Sequence, residues 1–223
     1  MNIIIINLDR ASERKPAMED QLKKAKLDAY FYKAVDGEHF INPTFIPKIN
    51  LEGGWRNNDL FKPGEIGCTL SHIGALSMAK ALDWPYVIIL EDDITIATDF
   101  TKRVNKLLKM VPKNWEHIYL SGTPHNTSIN PSFMQLIPSG RTDCTHSYMI
   151  NKSAYDKVIK KLLSMKTTTD DLYNHMILTE RNLISFSFFP YVTHSNSSYS
   201  YIWNKAAGHN IKNESKNYYA EFI

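Results

Sequence analysis

Residues 2–8 form an almost unbroken apolar run with four isoleucines in succession. Polar residues do not alternate with them, so the run predicts a strand covered on both faces. Ser12 is placed to cap a helix reaching about Lys26, on which Met18, Leu22 and Ala25 share one face. Residues 30–35 predict a second strand, closed by the turn formers Asp36-Gly37. Residues 38–63 hold Pro43, Pro47, Gly53, Gly54 and Asn57-Asn58 with little period, which predicts a long loop of the functional kind. Ile66, Leu70, Ile73 and Ser77 then recur at helical spacing over residues 64–82, until Trp84-Pro85 stops the helix.

Residues 86–90 are a short, fully apolar strand that runs straight into Glu91-Asp92-Asp93. Phe100, Val104, Leu107 and Val111 mark another amphipathic helix, and residues 117–121 a strand. Residues 123–140, rich in Pro, Asn and Ser, read as a loop. A strand over 145–150 leads to a helix opened by Asn151 or Ser153 and carrying Tyr155, Val158, Ile159 and Leu162. Asp170-Asp171 introduce a helix to about Arg181, and residues 183–189 form the last strand. This alternation predicts an α/β fold with a mostly parallel central sheet flanked by helices.

The chain has 223 residues, 43% of them hydrophobic and 22% charged, which suits one folded domain and excludes a disordered chain. A net charge of +3 gives no reason to expect nucleic acid as a partner. No apolar run approaches the about 20 residues that a membrane-spanning helix needs. Asp9 and Arg10 interrupt the first run too early for a signal peptide, so the expected compartment is the cytoplasm. Cys68 and Cys144 show no paired spacing and read as two reduced, buried thiols.

Four constellations could carry chemistry. Glu91-Asp92-Asp93 stand at the end of a buried strand, where open α/β sheets bind ligands. In extended backbone Glu91 and Asp93 project to one side, and such oxygens suit Mg²⁺ or Mn²⁺; the alternative is a solvated acidic turn. Asn7-Leu8-Asp9-Arg10 and Arg14 follow the first strand and could meet a nucleotide, or Arg10 and Arg14 could form an exposed helix face. Neither a dinucleotide glycine fingerprint nor a P-loop is present. Ser71-His72 lie near one end of the polar face of the helix that starts at Glu65, without the glycines of a nucleophile elbow. Asp170-Asp171 could be a helix N-cap or a general base, and His194 could be an extra metal ligand.

Together these segments resemble glycosyltransferase family 25, the group that includes bacterial lipooligosaccharide galactosyltransferases. The resemblance rests on Asn7-Leu8-x-Arg10 with Arg14, on Ala34-Val35-Asp36-Gly37, on Gly64-Glu65-Ile66-Gly67-Cys68-x-x-Ser71-His72, and on Ile88-Ile89-Leu90-Glu91-Asp92-Asp93. It implies a GT-A-like single domain over residues 1–223, with 1–100 as the nucleotide-sugar-binding half and 101–223 as the acceptor-binding half. It implies an inverting transferase that moves a hexose, expected to be galactose, from a UDP-sugar to a cell-surface glycan or glycolipid such as lipooligosaccharide. Mn²⁺ or Mg²⁺ would be held by the D-x-D-like Glu91 and Asp93, with His194 as a further ligand to test. Asn7, Leu8, Arg10, Arg14, Asp36 and Asp92 would contact the donor, and Ser71 and His72 the donor or the acceptor. Asp171, then Asp170, would be the base.

The chain departs from the family at Ser200-Tyr201-Ile202, where an acidic residue is common. Tyr199, Tyr201 and Trp203 could pack in the core or form a sugar-stacking or membrane-edge patch. Mild basicity permits docking on the inner, anionic face of a membrane; no protein partner is implied. The competing readings are a metal-dependent phosphohydrolase built on the same carboxylates and a silent nucleotide-sugar-binding protein.

Overall fold

The computed structural model describes residues 1–40, 42, 44, 46–51, 58–125, 133–195, 199–200, 202 and 205–206. The isoleucine run is β1 (Ile3–Asn7), buried throughout. It is followed by α1 (Arg14–Ala25), β2 (Tyr30–Lys33), the single turn α2 (Gly37–Phe40) and the long α3 (Pro63–Ala81). Next come β3 (Tyr86–Glu91), β4 (Ile94–Ile96), α4 (Phe100–Met110) and β5 (His117–Tyr119). The short β6 (Thr123–Pro124), β7 (Gln135–Pro138) and β8 (Thr142–Asp143) precede β9 (Ser147–Asn151), α5 (Tyr155–Leu163) and α6 (Thr169–Asn174). The described chain ends in β10 (Ser185–Phe189), β11 (Thr193–Ser195), β12 (Tyr199–Ser200) and β13 (Lys205–Ala206).

Seven strands form one sheet in the order β2-β1-β3-β9-β5-β10-β7. β1, β2, β3, β5 and β10 run one way, while β9 and β7 run against them. The sheet is therefore mixed. β9 inserts between β3 and β5, so the antiparallel pairings fall in its middle as well as at its β7 edge. Apolar content alone does not distinguish the two directions in a strand buried on both faces.

The continuous apolar runs follow from that double burial. Ile3 and Ile5 of β1 and Ile88 and Leu90 of β3 face a core closed by Met18 and Leu22 of α1 and Phe100, Val104 and Leu107 of α4. Ile4 and Ile6, with Val87 and Ile89, face the opposite core, closed by α3, α5 and α6 through Leu76, Val158 and Leu172. Each fully buried isoleucine contributes about 1.5–3 kcal/mol, so β1 anchors both layers.

Several local expectations are corrected. Ser12 does not cap α1. Ala11 N donates to Leu8 O and Arg14 N to Ala11 O, so a backbone turn starts the helix at Arg14. The presumed loop 123–140 contains β6 and β7. β7 has no alternating pattern because it is an edge strand held by backbone bonds to β10. α6 stops at Asn174 and continues as one π-helical turn, His175–Thr179, where Glu180 N donates to His175 O. β10 is not the last strand, since β11 returns to pair with β4. Asn151, not Ser153, caps the turn before α5, its Oδ1 accepting from Ser153 N at 3.0 Å.

Candidate active-site cleft

β1, β2 and β3 are mutually parallel, so their C-terminal ends open on one edge of the sheet. Three segments leave that edge side by side: residues 8–10, 34–37 and 91–93. α3 crosses above them, and its N-terminal half forms the opposite wall of an open cleft. This is the position at which α/β sheets gather ligand-binding groups. The close approach of α3 depends on glycine: a Cβ on Gly67 would sit 2.5 Å from Val35 O and 2.7 Å from Gly37 N. Glu65 secures the helix start, its Oε2 accepting from Lys62 N at 2.9 Å.

The three consecutive carboxylates have different environments. Asp92 is fully engaged: its Oδ2 accepts from Asn7 Nδ2 at 2.8 Å and from Leu8 N at 2.9 Å, and its Oδ1 pairs with Arg14 Nη1 at 2.9 Å. It ties the end of β1 and the start of α1 to the end of β3. Glu91 points toward α3, with Oε1 3.2 Å from His72 Nε2; His72 Nδ1 is in turn 2.8 Å from Tyr148 Oη. Burial pushes the Glu91 carboxyl up, but His72, His146 and Arg14 outweigh it and hold it below its ordinary value.

Asp93 has the opposite balance. Its Oδ2 is 3.4 Å from Arg14 Nη1, while its buried Oδ1 has no hydrogen-bond partner among the described residues. Burial and the charges of Glu91 and Asp92 push its carboxyl up to about 7, against the pull of Arg14. On the β2 side, Asp36 Oδ2 pairs with Arg10 Nε and His39 Nδ1, each at 3.0 Å. The cleft thus sets Asp36, Glu91, Asp92 and Asp93 against Arg10 and Arg14. That excess of negative charge, with an unpartnered carboxylate oxygen, fits a divalent cation held by Glu91 and Asp93.

The sequence-derived residues divide on this geometry. Leu8, Arg10, Arg14, Asp36, Ser71, His72, Glu91, Asp92 and Asp93 all line the cleft. Arg10 and Arg14 form ion pairs rather than an exposed helix face. Asn7 is buried behind the cleft and holds Asp92. Ser71 and His72 are buried rather than on a polar helix face; Ser71 Oγ accepts from Val35 N at 2.8 Å and donates to Gly67 O at 2.6 Å, fixing the β2 exit against α3.

His194 lies on β11 opposite Thr95, outside the cleft lining, with Nδ1 3.0 Å from Ser195 O. Asp170 and Asp171 occupy the first turn of α6, also outside the lining, connected to α3 through the 2.9 Å contact between Thr169 Oγ1 and Thr69 Oγ1. Asp170 Oδ1 accepts from Thr168 Oγ1 and Asp171 N. Asp171 Oδ1 pairs with Arg141 Nη2 at 3.3 Å; burial and the Asp170 charge push its carboxyl above the usual range.

Sequence reasoning assigned no site role to Cys68, Ser200 and Ile202, which line the cleft, or to Tyr148 and Arg141, which contact His72 and Asp171. Cys68 stands four residues before His72, a spacing that puts both on one helix face and could have drawn notice. Both cysteines are free thiols, and burial followed by the Glu91 charge keeps Cys68 protonated. Tyr201 and Trp203 lie outside the described residues. No described helix is long and apolar enough to cross a membrane.

Comparison with known proteins assigns this architecture to a class. The model of glycosyltransferase family 25 (LPS biosynthesis protein) matches residues 1–173, and the chain belongs to that family. It is 25% identical over 227 residues to procollagen galactosyltransferase 2 of Homo sapiens, covering 90% of this chain and 36% of that one. It is 26% identical over 126 residues to the inactive glycosyltransferase 25 family member 3 of Mus musculus, covering 53% and 21%. The chain thus spans about a third, or less, of the length of these relatives. A glycosyltransferase involved in the glycosylation of the major capsid of PBCV-1 overlays with a TM-score of 0.47 at 9% identity, covering 84% of this chain and 81% of that one.

Proposed function

We propose that the chain is an inverting, metal-dependent hexosyltransferase using a UDP-sugar, UDP-galactose in the first instance, with a cell-surface glycan or glycolipid as acceptor. The observation that carries this reading is the unpartnered Asp93 Oδ1 beside Glu91 at the C-terminal edge of β3. Glu91 and Asp93 would hold Mn²⁺ or Mg²⁺, which when bound supplies neutralisation of the charge that develops on the leaving diphosphate. His194, opposite Thr95 on β11 and outside the cleft lining, is not assigned with them.

The rest of the chemistry falls to side chains. Arg14, already oriented by Asp92 and Asp93, adds positive charge near the diphosphate. Arg10 and Asp36 form the rim where base and ribose would lie. Residues 1–100 would bind the donor, and 101–223 would present the acceptor. An acceptor hydroxyl attacks the anomeric carbon, the carbon–oxygen bond to UDP breaks on the far face, and a carboxylate takes the hydroxyl proton. Asp171 is assigned as that base because burial and the Asp170 charge raise its carboxyl above the usual range and so its basicity, whereas Asp170 bonds the backbone of its own turn. Asp171→Asn should bind UDP with Mn²⁺ like the parent while transfer falls about 10²–10⁴-fold. Unchanged transfer removes Asp171 from this role.

Similarity to the inactive mouse relative favours a second reading, a nucleotide-sugar binder without turnover. UDP binding with Mn²⁺ and no transfer to any acceptor would support it.

A further inference from the structure

α3 places Cys68 and His72 one turn apart on the same face, and the end of β3 brings Glu91 to both. One donor atom from each residue lies within 4.8 Å of the other two. All three residues line the cleft, and the proposed transfer leaves the thiol without a role.

We propose that Cys68, His72 and Glu91 form a second cation site, for a thiophilic divalent ion of the zinc class, with its fourth position open to the cleft. Zinc bonds of about 2.0–2.3 Å in a tetrahedral arrangement put neighbouring ligand atoms roughly 3.3–3.6 Å apart. His72 Nε2 and Glu91 Oε1 already stand at 3.2 Å. A proton on Nε2 makes this contact a hydrogen bond, and a bound ion would take that proton's place between the two atoms. Tyr148 Oη, 2.8 Å from Nδ1, is placed as the outer partner of a ligating imidazole: with the ion bound, Nδ1–H would donate to the phenol oxygen and the Nε2 lone pair would face the ion.

The donor set selects the metal. A thiolate favours zinc over magnesium or manganese, whereas the carboxylate pair at Glu91 and Asp93 favours the harder ions. The second site takes Oε1 of Glu91 and leaves Oε2 for the pairing with Asp93. As the sulfur–metal bond forms, the Cys68 thiol proton passes to solvent, and no redox change is involved. Three protein ligands with one open position make the arrangement of a reactive zinc centre rather than a closed structural one. The assignment does not depend on sugar transfer.

Cobalt(II) titration of the full, reduced chain tests it, with Co²⁺ standing in for zinc. One equivalent should produce intense four-coordinate visible bands and a near-ultraviolet thiolate-to-cobalt charge-transfer band, both displaced by equimolar Zn²⁺. The chain has two cysteines, so the source of the band is identifiable. Cys144→Ser and Asp93→Asn should keep the band, and Cys68→Ser should lose it. If Cys68→Ser proves misfolded by circular dichroism, retention of the band in Cys144→Ser carries the assignment. No charge-transfer band, a band that survives in Cys68→Ser, or one lost in Asp93→Asn overturns the proposal.

Discussion

Asp92 and Asp93 are adjacent in sequence and opposite in energetics. Asp92 is satisfied by an amide, a backbone N–H and a guanidinium. Removing it leaves Arg14 and Asn7 short of partners, so Asp92→Ala should cost about 3 kcal/mol, read from denaturant unfolding. Asp93 is held where its charge is unwelcome. Its folded pKa of about 7 lies above its ordinary 3.8, so between those values the folded state keeps a proton that the unfolded chain has lost. Stability therefore falls as pH rises through that window and stays low above it. In chelator at pH 8, Asp93→Asn should be more stable than the parent by on the order of a few kcal/mol, and the gain should shrink as pH drops toward 4. Equal melting temperatures across that range would remove the electrostatic account. A carboxylate that weakens the fold without its ligand marks a binding position rather than a structural one.

At the scale of elements, the α3 wall rests on the Gly67 contact with the β2 exit. Gly67→Ala would drive a methyl group into Val35 O and the Gly37 backbone. A loss of about 2–3 kcal/mol, with weakened UDP binding, is expected; thermal melting and calorimetry read both, and parental values for both would contradict the packing. The elements themselves were largely legible in sequence because β1, β3, α3 and α4 carry unambiguous periods or runs. What sequence could not supply was direction and partnership. β9 reads like any buried strand, yet it runs antiparallel between β3 and β5. β7 lacks a pattern because backbone bonds hold it at an edge. The acidic triplet was visible, but the division of labour within it depends on Arg14 and Asn7, contacts about eighty residues away in the chain.

At the scale of the whole molecule, the mixed sheet collects its chemistry on one edge. The residues proposed for the donor converge there from three parallel strands and one helix. Asp170 and Asp171 lie outside the cleft lining, on a later helix joined to α3 through a threonine pair. The groups proposed for leaving-group stabilisation and for proton removal thus come from different parts of the chain.

The most direct test of that account is UDP release measured across a panel of UDP-sugars, with Mn²⁺ or chelator, and with or without lactose- and glucose-type acceptors. Release from one donor, dependent on the metal and raised by acceptor, is expected. Undiminished release in chelator, or neither release nor UDP binding under any condition, would contradict it.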